Sequence, residues 1–188
     1  MLDRIKLPMK FDIARLKADL DKVKSKEWIE HFVKRNFDGD WSVIPLRGKA
    51  GATHPVMMIY SDASCTEFEN TPYLEGTNYF TEVFNAFQCP LNSVRLMKLT
   101  PGSKILEHFD FDLNADEGNA RLHLAIETNP DVDFRLNGER VLLEEGDCWY
   151  LRLSDPHSVA NRGESNRIHL VLDVTVNPWL LEMLNSAA

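Results

Sequence analysis

The chain has 188 residues, 44% of them apolar and 27% charged, enough to fill one core and too little for two large independent ones. With 21 basic residues against 29 acidic ones the net charge is -8 and the pI is near 5.2. That balance offers no basic face to a polyanion and excludes a general nucleic-acid binder.

Met1 to Asp12 alternate charge and apolarity without the apolar centre of a secretion signal, and the longest unbroken apolar run is Val56 to Tyr60. A protein neither exported nor membrane-spanning is expected. Cys65, Cys89 and Cys148 are odd in number and widely spaced, so they read as small buried hydrophobes in a reducing cytoplasm rather than as a disulfide framework or zinc knuckle.

After Asp12, a candidate N-cap, Ile13, Leu16, Leu20 and Val23 recur at helical spacing and predict an amphipathic covering helix. A short helix is expected around Trp28 to Val33, then an edge strand over Trp41 to Leu46 ending in a glycine-containing loop. Ser61 to Gly76 shows little periodicity, and Tyr79, Phe80, Val83, Phe84 and Phe87 form a second helical stripe. Beyond Cys89-Pro90 the texture changes to short β-prone segments separated by turns at Pro101-Gly102, Gly118-Asn119, Asn137-Gly138, Glu145-Gly146 and Arg162-Gly163. Asn137-Gly138 is the strongest hairpin signal, because a two-residue type I′ turn needs positive φ at both positions. Asn177-Pro178 and the run Trp179 to Leu184 predict a closing helix. The expected organisation is one domain: a helical and edge-strand region over 1–90, a β core over 91–177 and a terminal helix over 178–188, mainly β with flanking helices and a sandwich or barrel at its centre.

Side chains alternate across a strand, so residues two apart share a face. Over Lys104 to Asp112 this groups His108, Asp110 and Asp112 against Ile105, Glu107, Phe109 and Phe111. Arg121 and His123 oppose Leu122, Leu124 and Ile126, while Arg167, His169 and Asp173 oppose Ile168, Leu170, Leu172 and Val174. A half-exposed sheet explains such alternation by itself. The recurrence of Arg and His beside a His-x-Asp pair instead suggests that the polar faces line a barrel lumen.

His108 and Asp110 can take adjacent positions around one metal ion, and His157, after the turn at Asp155-Pro156, offers a third ligand. Two histidines and a carboxylate form the facial triad of non-haem Fe(II) oxygenases. Arg167, ten residues beyond His157, suits the remote carboxylate of an anionic cosubstrate, since its planar fork binds carboxylate bidentately and stays charged in a dry pocket.

With these residues in view, the chain resembles the Fe(II)/2-oxoglutarate dioxygenases of the aspartyl/asparaginyl β-hydroxylase type, which include bacterial hydroxylases of free proline. The likeness covers most of the chain and is clearest over His108-Phe109-Asp110, Arg121-Leu122-His123-Leu124, Glu145-Gly146-Asp147-Cys148-Trp149-Tyr150, His157-Ser158-Val159-Ala160-Asn161, Arg167 and Asp173. Asp3 to Leu7, the first helix and Trp41 to Gly48 are similar to the N-terminal part of the free-proline 3-hydroxylases. The resemblance implies a double-stranded β-helix, a jelly-roll or cupin-like barrel. It implies Fe(II) on His108, Asp110 and His157, the 2-oxoglutarate C5 carboxylate on Arg167, and cosubstrate or substrate contacts at Arg121 and His123. The implied reaction consumes 2-oxoglutarate and O2, hydroxylates a free amino acid such as proline or a peptidyl Asp/Asn, and releases succinate and CO2.

The chain also departs from parts of the family. The animal enzymes carry glycine where Asp110 stands, which points toward the bacterial amino-acid hydroxylases. Met97 replaces a serine that touches the cosubstrate, with Arg95 or Lys98 as candidate helpers. The tetratricopeptide portion of the animal enzymes has no counterpart here. His169 and Asp173 are expected to support the site, His31 and His54 to lie at the surface, and Trp149 and Tyr150 to be core and rim aromatics. The acidic group Asp110, Asp112, Asp116 and Glu117 lacks the glycine and terminal glutamate of a calcium loop. A cupin-like binding module or isomerase without oxygenase chemistry is the alternative. A homodimer stays open.

Overall fold

The computed structural model describes residues 1–60 and 65–187. In chain order its elements are β1 (Arg4–Lys10), α1 (Ile13–Val23), β2 (Ile29–Glu30), β3 (Phe37–Asp38), β4 (Trp41–Lys49), α2 (Pro55–Ile59), β5 (Phe68–Asn70), α3 (Asn78–Ala86) and β6 (Leu91–Leu99). They continue as β7 (Lys104–His108), β8 (Asn119–Glu127), β9 (Val132–Leu136), β10 (Glu139–Val141), β11 (Asp147–Leu151), β12 (His157–Asn161), β13 (Arg167–Thr175) and α4 (Pro178–Ser186). The large sheet runs β1-β11-β8-β13-β6-β4-β2 with β5 added to β4, and the small sheet runs β10-β9-β12-β7-β3. The two face each other as a jelly roll, and no strand pairing joins them among the described residues. No helix there is long and apolar enough to cross a membrane.

Alternation along β8 and β13 divides the apolar residues into two layers. Leu122, Leu124, Ile126, Leu170, Leu172 and Val174 face outward and pack beneath Leu16 and Leu20 of α1, Phe80 and Phe84 of α3 and Leu180 and Leu184 of α4. Burying each such side chain contributes about 1.5 to 3 kcal/mol. The opposite faces meet the small sheet in a second layer around Trp41, Met97, Leu99, Ile105, Phe134 and Val159. Asp12 caps α1 by accepting from the Arg15 amide, and Asn177 caps α4 through the Leu180 amide. The N-terminus of α3 is capped from outside: the amides of Tyr79 and Phe80 donate to the buried Asp19 carboxylate of α1 at 2.6 and 2.9 Å.

The hairpin at Asn137-Gly138 forms with φ of 52° and 79°, the positive pair a type I′ turn requires. Several other expectations are corrected. Trp28 to Val33 is not helical: Ile29–Glu30 pairs with β4, and the apolar spacing there serves stacking, with His31 face to face on Trp41 at 3.6 Å. β4 is not an edge strand but lies between β6 and β2. Pro45 is tolerated inside it because the register shifts between Pro45 and Arg47, and the strand continues through Gly48. The opening alternation is a strand, β1, which pairs at the sheet edge with β11 and shifts register around Pro8. Of Ser61 to Gly76, residues 61–64 lie outside the described part, and the remainder contains β5. Cys65 is half-buried, whereas Cys89 and Cys148 are buried free thiols.

Candidate metal and cosubstrate site

β7 and β12 pair antiparallel with His108 opposite His157. Between that pair and the next, Ile105 opposite Val159, β7 carries one residue more than β12. This bulge turns Ile105 and His108 to the same inner side and leaves Leu106 and Glu107 outside, a grouping that strict alternation assigns wrongly. β7 ends at His108, so Asp110 stands on the following turn, where its amide donates to the Leu153 carbonyl at 2.8 Å. Asp112, in the left-handed region at φ 69°, is exposed and leaves the polar face to which alternation assigned it.

The ligand atoms of His108, Asp110 and His157 lie within 4.8 Å of one another, a grouping able to hold a metal ion. His108 Nδ1 is 2.7 Å from the Leu106 carbonyl and His157 Nδ1 is 3.0 Å from the Asp155 carbonyl. Carbonyls only accept, so both rings carry a proton on Nδ1, which leaves Nε2 as the nitrogen that can bind a metal. The Asp110 carboxylate is divided between two neighbours. Oδ2 accepts from Arg121 Nη1 at 2.6 Å, while Oδ1 faces His108 Nε2 at 3.7 Å.

All six residues singled out from the sequence, His108, Asp110, Arg121, His123, His157 and Arg167, line one cavity together with Trp41, Met97, Ile105, Phe134, Leu153 and Val159. Their charges are unevenly compensated. Asp173 accepts from Arg121 Nε at 2.6 Å, from Ser93 at 3.0 Å and from Arg95, so Arg95 and Arg121 share two carboxylates. Burial opposes the Asp173 charge, but the two guanidiniums outweigh it and hold the carboxyl below its usual range. Arg121 is likewise held charged, Asp173 and Asp110 outweighing its burial.

Arg167 differs: it is 2% exposed, no carboxylate among the described residues pairs with it, and its Nε has no hydrogen-bond partner there. Burial pushes it down to about 9, which leaves it cationic at neutral pH. Burial also keeps nearby imidazoles neutral. His157 falls to about 4, and His123 and His169 fall well below their usual range through burial and then the Arg167 charge.

Some contributions were not assigned from the sequence. His31 is no simple surface residue: it is stacked on Trp41, and burial, then the charges of Arg95 and Arg121, lowers it to about 3. Of the two candidate helpers named from the sequence, Arg95 joins the site through Asp173, whereas Lys98 turns away and sits over the Trp28 ring at 4.4 Å. Alternation along β6 places Ser93, Arg95 and Met97 on the inner face, and that was the available signal.

The chain is similar to several known proteins. Residues 10–177 match the family described as aspartyl/asparaginyl beta-hydroxylase. An L-proline cis-4-hydroxylase of Rhizobium meliloti (strain 1021) is 27% identical over 168 residues, 88% of this chain and 58% of that protein. The chain thus spans somewhat over half the length of that relative. A Pseudomonas putida prolyl-4-hydroxylase shares the fold at TM-score 0.55 and 12% identity, with 93% of each chain covered. A viral collagen prolyl hydroxylase from Paramecium Bursaria Chlorella virus-1 shares it at TM-score 0.53 and 10% identity, covering 93% of this chain and 97% of that one.

Proposed function

Since the chain belongs to the aspartyl/asparaginyl β-hydroxylase family, we propose that it is an Fe(II)- and 2-oxoglutarate-dependent hydroxylase of an amino acid, with free L-proline the first candidate and peptidyl Asp or Asn the second. The observation that carries this reading is the presence in one cavity of a His-Asp-His cluster and a buried guanidinium that no carboxylate among the described residues compensates. The donor set suits iron, since two imidazole nitrogens and one carboxylate leave coordination positions free. The bare Arg167 Nε suits a dicarboxylate cosubstrate.

In this reading His108, Asp110 and His157 hold the metal. When bound, Fe(II) with 2-oxoglutarate and O2 supplies the oxidising power that places oxygen in a C–H bond, with succinate and CO2 as co-products. The Leu106 and Asp155 carbonyls fix the imidazole tautomers, and Arg121 holds Asp110 Oδ2 so that Oδ1 stays turned toward the histidines. Arg167 anchors the remote carboxylate of 2-oxoglutarate, beside His123. Arg121, tied through Asp173 to Arg95, forms the charged wall next to the metal ligands and suits a substrate carboxylate. Ile105, Phe134, Val159 and Met97 keep the pocket dry, which strengthens each of these contacts.

The test is succinate formation from 2-oxoglutarate with Fe(II), measured against free amino acids and Asp- or Asn-containing peptides. Substrate-dependent succinate with a hydroxylated product supports the reading. Succinate at background level with every substrate, from protein shown to bind Fe(II), rejects it.

A further inference from the structure

A second and larger cavity of about 350 Å³ is walled by Val132, Phe134, Val141 and Leu143 and reaches His169, the residue that Arg167 contacts. Phe134 lines both cavities, whereas Arg167 and His123 line only the front one and His169 only the rear one. His169 is 1% exposed and follows Arg167 by two positions on the inner face of β13. Arg167 Nη2 lies 2.9 Å from His169 Nδ1. A guanidinium can only donate, so His169 Nδ1 is the acceptor and the ring carries its proton on Nε2. That Nε2 has no partner among the described residues, and with His123 Nδ1 at a longer 3.4 Å from the same Nδ1, the 2.9 Å Arg167 bond is the shorter of the two polar contacts on the ring.

We propose that His169 is a positioning and specificity residue for the cosubstrate. It holds the Arg167 fork in the plane that receives the remote carboxylate, and with Phe134 it forms the partition that limits how long a 2-oxo dicarboxylate the front pocket accepts. This rests on the cosubstrate role proposed for Arg167. The chemical consequence is that the partition, rather than the charge of Arg167, discriminates 2-oxoglutarate from its homologue with one more methylene, 2-oxoadipate. Removing the ring joins the front pocket to the rear cavity, whose apolar walls can take the additional chain length.

The experiment is calorimetric binding of 2-oxoglutarate and 2-oxoadipate to protein loaded with Mn(II), for the wild type and three variants. His169→Phe keeps the partition but offers no acceptor. It should weaken 2-oxoglutarate binding about ten- to a hundredfold, the effect of one buried hydrogen bond to a charged group, and keep the preference for the shorter acid. His169→Gln, whose side-chain oxygen can accept from Arg167, should return 2-oxoglutarate affinity to within a few-fold of wild type. His169→Ala should raise affinity for 2-oxoadipate relative to 2-oxoglutarate by about tenfold or more. Wild-type 2-oxoglutarate affinity in His169→Phe overturns the positioning role, and an unchanged affinity ratio in His169→Ala overturns the partition. If His169→Ala does not fold, the ratio is read instead in His169→Ser, which leaves nearly the same space. A wild-type protein that binds Mn(II) but not 2-oxoglutarate instead rejects the cosubstrate assignment on which both roles rest.

Discussion

His108 and His157 stand directly opposite each other across β7 and β12, with ring centroids 4.3 Å apart. A bulge in β7 turns His108 inward, and each ring is held at Nδ1 by a backbone carbonyl two residues before it. The two imidazoles are thus oriented by main chain rather than by mobile side chains, a rigid mounting for a metal site. Replacing either with alanine should abolish Fe(II)-dependent 2-oxoglutarate turnover and lower metal affinity sharply, with the unfolding midpoint of the metal-free protein changed little. Metal titration and succinate yield check this, and an undiminished yield from either variant removes that histidine from the ligand set.

Arg167 is buried with no carboxylate partner among the described residues, so its truncation removes a charge that the proposed cosubstrate compensates. Arg167→Ala should weaken 2-oxoglutarate binding by about 3 to 5 kcal/mol, roughly a hundred- to several-thousand-fold, with Fe(II) affinity nearly intact. Calorimetry with each ligand separately decides it. Equal losses for metal and cosubstrate would place Arg167 in general support of the fold instead.

Asp173 joins Arg95, Arg121 and Ser93. Asp173→Asn keeps the shape but leaves Arg121 with Asp110 alone and Arg95 with no carboxylate in contact among the described residues, which should cost about 3 to 5 kcal/mol of stability. Urea unfolding measures this directly. A loss under 1 kcal/mol would mean that water or rearrangement supports the arginines without Asp173.

How much of this was legible in the sequence follows from how local each determinant is. The cap at Asp12, the helix after the Asn177-Pro178 break, the turn at Asn137-Gly138 and the inner faces of β8 and β13 depend on a few neighbouring residues, and the structure places them as the pattern implies. The inner face of β7 was hidden because a bulge depends on the pairing with β12. Trp28 to Val33 showed helical spacing, yet stacking of His31 on Trp41, ten positions away, decides its shape. β1 showed its alternation openly, but only its pairing with β11 gives that alternation meaning. The Arg95–Asp173 pair joins residues 78 positions apart, which no local pattern reveals.

His31 makes the protein's stability pH-dependent. Its pKa in the folded chain, about 3, lies below the usual value of about 6.5. The unfolded chain therefore binds a proton that the folded one refuses, and the stability His31 contributes is complete above about 6.5 and lost as pH falls toward 3. One such proton changes stability by about 1.4 kcal/mol per pH unit, so between pH 7 and pH 5 the partly exposed ring should contribute a loss of about 1 to 2 kcal/mol. His31→Phe preserves a ring on Trp41 but cannot titrate. It also loses the Val33 amide bond to His31 Nδ1 at every pH, so the slope and not the absolute stability is the readout. Parallel slopes for wild type and variant in denaturant unfolding would show that His31 does not titrate in this range.

Gly48 connects the periphery to the site. A Cβ there would lie 2.3 Å from the Met58 carbonyl oxygen, a backbone atom that can yield only if α2 shifts as a whole. The same helix ends at Ile59, whose carbonyl accepts from Arg95 Nη1 at 3.2 Å, so moving α2 loosens the guanidinium next to Asp173. Gly48→Ala should cost about 1 to 3 kcal/mol of stability and also weaken substrate binding. Gly51→Ala is the control, since its Cβ meets nothing within 4 Å and only its φ of +73° resists substitution. That variant should lose about 1 kcal/mol with substrate affinity unchanged. Denaturant unfolding and substrate titration on the two proteins separate the effects. Equal substrate affinity in both would show that α2 does not govern the position of Arg95.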